Sequence, residues 1–238
     1  MLPAIAFDLG NTLVPFGPTE SEMLMNNLYD MARVSDRSIG RSVFRDSYAA
    51  MVRQETVLRD RGCWESDPVW RAKGICSDLM SKGIRTDSLE HDLVTSHPMA
   101  FSRCLVFPER SISILERLRG MGVKLALVSN AMDGKGIRIS LREQGVEPLL
   151  DPIIVSEELG IAKPHPRIFR KALEGLRVKA SECAYVGDRY EIDVVGAKVA
   201  GMYPIYTTEY GTEGEPPEGA DLSVPTIRDI GELLPMWG

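Results

Sequence analysis

The stretch Ala4-Ile5-Ala6-Phe7-Asp8-Leu9-Gly10-Asn11-Thr12 decides how the chain is read. Its four leading residues form a continuous apolar run, the pattern of a parallel strand buried on both faces. Asp8 therefore falls at the carboxyl end of a strand, above a tight turn. In an open parallel sheet, ligands collect outside those carboxyl ends. Partners for such a carboxylate stand in Leu125-Ala126-Leu127-Val128-Ser129-Asn130, in Ala162-Lys163-Pro164, and in Tyr185-Val186-Gly187-Asp188 followed by Asp193.

Beyond the first stretch, Pro15, Gly17 and Pro18 break the pattern, and Thr19 or Ser21 is placed to cap a helix beginning near Glu20. From there to about residue 100 the periodicity is helical, with no strand signal. Met23, Leu24, Leu28, Met31 and Ala32 mark one helical face; Val43, Phe44, Tyr48, Met51, Val52 and Leu58 mark another. A loop around Arg61–Pro68 precedes a third helix carrying Val69, Trp70, Ile75, Leu79 and Met80, which Gly83 ends. A fourth, carrying Leu89, Leu93 and Val94, is expected to stop before Pro98. After about residue 101, helices and strands alternate. Strands are expected at Val123–Val128, Ile153–Val155, Cys183–Val186 and Tyr203–Tyr206. Helices are expected from Pro108 to Gly120 and at Gly134–Gln144, Pro166–Leu176, Glu191–Ala200 and Thr226–Leu234. Alternation of this kind predicts an α/β fold. A Rossmann-like parallel-sheet core is expected over residues 1–16 and 101–238, with an all-helical domain at 17–100 inserted after the first strand.

Composition sets outer bounds. A chain of 238 residues, 44% hydrophobic and 26% charged, can bury a sizeable core. Its formal charge of -6 argues against a nucleic-acid surface, which normally needs a basic stripe. Neither an 18-residue apolar run nor a charged-then-apolar leader is found, so no membrane span is expected and a cytoplasmic location is the default. Cys63, Cys76, Cys104 and Cys183 form no C-x-x-C pair and read as free thiols in a reducing compartment. His91, His97 and His165 lack metal-ligand spacing and read as structural or exposed.

Asp8, Ser129 and Asp188 each follow a predicted strand and should converge. Two carboxylates brought together repel unless a cation sits between them, which makes Asp8 and Asp188 a candidate Mg²⁺ site. Asp193 is placed to bind a metal-coordinated water or to orient Asp188. Lys163 can balance the charge of Asp8, while Ser129 and backbone N–H groups can hold phosphate oxygens. Each piece alone has a plainer meaning: a helix cap for Ser129, a surface turn for Lys163-Pro164, solvated helix carboxylates for Asp188 and Asp193. Four pieces in this order, each at a strand end or loop, point to an active site.

The pattern resembles the haloacid dehalogenase superfamily of phosphohydrolases over essentially the whole chain. Its motifs match at Asp8–Thr12, Ser129-Asn130, Lys163-Pro164 and Gly187-Asp188 with Asp193, and the helical insert resembles the family's C1 cap. The resemblance implies a hydrolase in which Asp8 attacks phosphorus and water hydrolyses the aspartyl-phosphate. It further implies Mg²⁺ at Asp8, Asp188 and the Gly10 carbonyl, with Asp193 nearby. Thr12, Ser129, Asn130 and Lys163 would hold the phosphoryl group of a small phosphorylated metabolite. One departure stands out: the usual D-x-D-G-T reads Asp8-Leu9-Gly10-Asn11-Thr12 here. Gly10 replaces the aspartate that protonates the leaving oxygen, and loss of such a group typically removes about 10²–10⁴ in rate. Substrates with good leaving groups, or a weak member kept for binding, are the two expectations that follow. The dehalogenase branch is disfavoured because its fourth motif lacks the Gly-Asp pair. The phosphonoacetaldehyde hydrolase branch needs an early cap lysine, whereas the first lysine after Asp8 is Lys73. Within the cap, Arg53, Arg59, Arg61, Trp64 and Trp70 are the residues most able to meet an anionic or ring-bearing substrate.

Overall fold

Phe7 lies opposite Leu127 on one side and Val186 on the other, which puts β1 (Ala4–Phe7) in the middle of a parallel sheet. The computed structural model describes residues 2–59, 65–210, 223, 224 and 226–230. Arg61, Cys63, Trp64, the side chain of Arg59 and the end of the helix expected at 226–234 lie outside the described residues. The other strands are β2 (Lys124–Ser129), β3 (Ile153–Val155), β4 (Cys183–Gly187), β5 (Tyr203–Thr207) and β6 (Ser223–Val224). All pair in parallel, in the order β3-β2-β1-β4-β5-β6.

Side chains alternate between the two faces, as the two-residue period of a strand dictates. Ile5, Phe7, Leu125, Leu127 and Val186 join one apolar cluster, and Ala4, Ala6, Ala126, Val128 and Tyr185 join a second. Between β1 and β2 run α1 (Pro18–Met31), α2 (Arg41–Arg59), α3 (Pro68–Ser81), α4 (Leu89–Ser102) and α5 (Glu109–Gly120). The apolar faces of α1 to α4 meet through Leu24, Leu28, Phe44, Met51, Ile75, Leu79 and Leu93, continuous with the first sheet cluster. After β2 come α6 (Gly134–Glu143), α7 (Ser156–Leu159), α8 (Pro166–Leu176) and α9 (Val195–Val199). Ile168, Phe169 and Ala172 of α8 and Ala197 of α9 cover the second face.

Three local expectations are corrected. α1 starts at Pro18 and not near Glu20: proline fits the first helical position, and Glu20 accepts the Gly17 N–H at 2.7 Å. α4 does not stop before Pro98 but runs through it to Ser102, so residues 100 and 101 lie in its last turn. An interior proline costs about 3 kcal/mol, but full burial of a phenylalanine such as Phe101 returns about 1.5–3 kcal/mol, and Ala100 is buried beside it. The helix expected from Glu191 opens as a π-turn at Tyr190–Val194 before α9 begins. That wider turn carries Asp193.

Candidate active site

The turn after β1 is built on one carbonyl. Leu9 O accepts the N–H groups of Leu13 and Val14 at 2.9 and 3.0 Å, and Asp8 N–H bonds Val186 O at 2.9 Å. Asn11 takes the left-handed conformation (φ 56°) that asparagine tolerates better than most residues, and its Oδ1 accepts Phe16 N–H at 2.9 Å. Thr12 is fully buried, and its hydroxyl has no partner among the described residues. A Cβ added at Gly10 would meet only Phe16 Cβ, at an ordinary 3.5 Å. Packing against the Cβ position therefore does not force glycine here.

Lys163 is the hub. Its ammonium donates to Asp8 Oδ1 at 2.6 Å, to Asp193 Oδ1 at 2.7 Å and to the Tyr185 hydroxyl at 2.7 Å. All three donors of the ammonium are thus spent. Burial opposes its charge, but Asp193 and Asp8 outweigh that cost and hold the Lys163 pKa above the ordinary lysine value. Burial likewise pushes Asp8 up to about 6, with Lys163 pulling the other way and Asp193 adding to the rise. Tyr185 was not singled out by the sequence patterns. Its signal is a polar-tipped ring inside an otherwise apolar strand, two residues before Gly187. Burial, then Asp193 and Asp8, lift its phenol well above the usual value, so it stays neutral.

Gly187 is dictated by close packing: a Cβ there would stand 2.4 Å from Asp193 Cβ and Cγ. Asp193 Oδ2 accepts Arg189 N–H at 3.1 Å, so both its oxygens have protein partners. Asp8, Asp188 and Asp193 each offer an oxygen within 4.8 Å of the other two, all buried. Three buried carboxylates thus gather beside the Lys163 ammonium. An all-oxygen donor set of this kind suits a hard divalent cation such as Mg²⁺.

Ser129 closes β2 and is buried. Asn130, expected at the phosphate, instead spends its amide on the backbone of Lys163. Oδ1 accepts Lys163 N–H at 2.7 Å and Nδ2 donates to Lys163 O at 2.9 Å. The helices between β1 and β2 reach the same β2–α6 connection. Arg71 Nη1 lies 2.8 Å from Met132 Sδ, and His97 Nδ1 lies 2.7 Å from Asp133 Oδ2. Burial, partly offset by the bond to Asp133, pulls the His97 pKa below the ordinary histidine value. Arg53 is exposed and Trp70 packs partly buried against the apolar core. The buried arginine of this region is Arg71, paired with Glu55 at 3.3 Å and with the Tyr48 hydroxyl at 2.8 Å. Its signal in the sequence, Arg71 between Trp70 and Ala72 on an apolar face, is indistinct.

An α/β parallel sheet with acid and lysine groups gathered at its carboxyl end defines a hydrolase-type site. A family model for haloacid dehalogenase-like hydrolases matches residues 2–201, and the chain belongs to that family. It is 29% identical over 143 residues to a glyceraldehyde 3-phosphate phosphatase of Methanocaldococcus jannaschii, covering 60% of this chain and 62% of that protein. It is 35% identical over 126 residues to a phosphoserine phosphatase of Thermus thermophilus, covering 52% and 49%. The aligned part thus spans less than two thirds of the length of these curated relatives. Among solved structures, a 2-haloacid dehalogenase from Pseudomonas syringae pv. Tomato superposes over 100% of both chains with TM-score 0.75 and 21% identity. A HAD phosphatase from Thermococcus onnurineus superposes over 97% of both with TM-score 0.60 and 22% identity. These structural likenesses establish the fold. Among the described residues, no helix is long and apolar enough to cross a membrane.

Proposed function

We propose that the protein is a Mg²⁺-dependent phosphomonoester hydrolase that works through an aspartyl-phosphate on Asp8. The observation that carries this reading is the Lys163 ammonium, bonded at once to Asp8 and Asp193 inside a buried cluster of three carboxylates. Asp8, Asp188 and the Gly10 carbonyl would hold Mg²⁺, whose positive charge would favour ionised Asp8 and offset the charge of the phosphate. One Asp8 oxygen stays on Lys163 while the other attacks phosphorus, and the bond from phosphorus to the leaving oxygen breaks. Water then attacks the phosphoryl group and frees Asp8 as a carboxylate. Asp193 holds Lys163 against Asp8; Thr12 and Ser129 line the same end of the sheet, where Ser129 would meet phosphate oxygens. Asn130 serves by seating Lys163. Helices α1 to α4 would act as the cap that selects a small phosphorylated metabolite.

Gly10 leaves the leaving oxygen without an acid of its own. Acyl or anomeric phosphates and other esters with good leaving groups need that proton least, so they are the preferred substrate class. The relatives named for glyceraldehyde 3-phosphate and phosphoserine support phosphorylated metabolites as a class. The test is phosphate release from p-nitrophenyl phosphate with and without Mg²⁺, in the wild-type protein and in Asp8→Asn. Turnover that survives chelator, or that ignores Asp8, would overturn the reading.

A further inference from the structure

Four consecutive residues after β2 are each tied to a different part of the molecule. Asn130 clamps the Lys163 peptide at both its N–H and its C=O. Ala131 N–H bonds Ser156 Oγ at 2.9 Å. Met132 Sδ meets Arg71 of α3, and Asp133 meets His97 of α4. Asp133 also caps α6, its Oδ1 accepting Gly136 N–H at 2.8 Å. The His97 ring is almost fully buried, and its Nε2 has no partner among the described residues. Its one strong polar bond is therefore the one to Asp133.

We propose that His97 and Asp133 are positioning residues for Lys163, acting through the 130–133 segment. The pair fixes the far end of a strap whose near end, Asn130, seats the lysine. The segment pivots at Ala131 on Ser156. A short strap of this kind transmits displacement because every residue in it has a fixed partner and none is free to absorb the change. Losing the Nδ1 bond leaves Asp133 Oδ2 buried without that partner, which favours conformations that turn Asp133 toward solvent. That swing moves Asn130 and loosens its grip on the Lys163 peptide. The inference rests on the role proposed for Lys163 only in its meaning for catalysis; the mechanical linkage is read without activity.

The test uses the full chain and follows hydrogen exchange of the Lys163 backbone N–H by NMR, with Asn130→Ala as the direct cut. In His97→Leu the Lys163 amide should exchange roughly tenfold faster, while the amides of β1 and α8 keep their wild-type rates. His97→Asn, which restores a donor at the Nδ1 position, should bring the rate back. Asp133→Ser cuts the pair from the other side; serine still caps α6 but is too short to reach His97. An unchanged Lys163 amide in either His97→Leu or Asp133→Ser, whichever folds, would overturn the linkage, as would uniform loosening of all three regions. If the wild-type protein proves inactive on phosphate esters, the exchange result still stands, so the two readings fail separately. With activity present, His97→Leu should lower kcat and leave KM for p-nitrophenyl phosphate near its wild-type value, and His97→Asn should recover it.

Discussion

Two buried charge clusters lie on either side of the 130–133 segment, and their bookkeeping differs. Between α2 and α3, Arg71 and Glu55 form a buried ion pair, their side chains 4% and 5% exposed. Ser66 donates to Glu55, and Tyr48 accepts from Arg71. At the end of β1, three carboxylates crowd around Lys163. The balanced cluster is what a fold needs if it buries charge at all, since removing one member of such a pair exposes the other to an unrelieved desolvation cost. Crowded, buried carboxylates disfavour their own ionisation: burial, with Asp193 adding to it, raises the Asp8 pKa to about 6 against the pull of Lys163. Crowding of this sort marks a site arranged for a ligand, and the two clusters should answer mutation with opposite signs.

The largest expected effect is on Asp8. Asp8→Asn should cut phosphate release by about 10⁴–10⁶, the scale on which loss of a nucleophile is felt. The same substitution should raise stability in chelator at pH 7 by on the order of 2–3 kcal/mol. The sign follows from linkage: the folded pKa of about 6 stands above the ordinary 3.8 of an aspartate, so ionising Asp8 disfavours the fold and asparagine has no charge to desolvate. Urea unfolding reads this directly. Loss of both activity and stability would make Asp8 structural and erase the contrast.

Arg71→Met should do the reverse. Removing the buried cation bonded to Glu55 is expected to cost about 3–5 kcal/mol. The double variant Arg71→Met with Glu55→Leu should recover much of that loss, because it removes both charges together. Equal destabilisation in the single and double variants would mean that packing, and not charge balance, governs α2 and α3.

How much of this contrast the sequence exposes depends on how local each signal is. The buried runs Ala4–Phe7 and Leu125–Val128 announce strands because a parallel strand is apolar on both faces. Asp8 and Asp188 announce a site because each follows such a run, Lys163 because it sits in a short, patterned loop, and Asp193 because it stands one turn past Asp188. The Asn130 clamp is invisible in the sequence, since its partner is the backbone of a residue far along the chain. Arg71 and His97 are equally hidden. Each sits on a helical face whose periodicity predicts burial but gives no hint of which distant atom will satisfy the charge. Pro98 misleads for the same reason: the local rule ends a helix there, and the buried Ala100 and Phe101 that carry it onward are tertiary facts.

Gly10→Asp sharpens the comparison by crowding the carboxylates further. A Cβ at position 10 meets only ordinary van der Waals contact, so the fold should accept the change. A fourth carboxylate should lower stability in chelator, while turnover of simple alkyl phosphates rises by up to about 10²-fold as a proton donor returns to the leaving oxygen. Activity on p-nitrophenyl phosphate, whose leaving group needs little protonation, should change much less. A fall on both substrates would show that Gly10 is required for its backbone geometry alone.

The smallest effect is set by His97, which stands between the clusters and feels Arg71, Glu55 and Asp133. Its folded pKa lies below the ordinary 6.5, so the unfolded chain takes up a proton first as pH falls. Stability contributed by neutral His97 is complete above about pH 7 and is lost on acidification through the window below 6.5, by at most about 1.4 kcal/mol per pH unit. Asp8 acts with the opposite sign in the same range, but it is common to the wild-type protein and His97→Asn. The difference between their urea midpoints from pH 8 to pH 5 therefore isolates the histidine. A widening deficit of the wild-type protein toward pH 5 is expected. Parallel curves would mean that Asp133 holds His97 charged at neutral pH, and the pair would then join the balanced cluster as an ordinary buried ion pair.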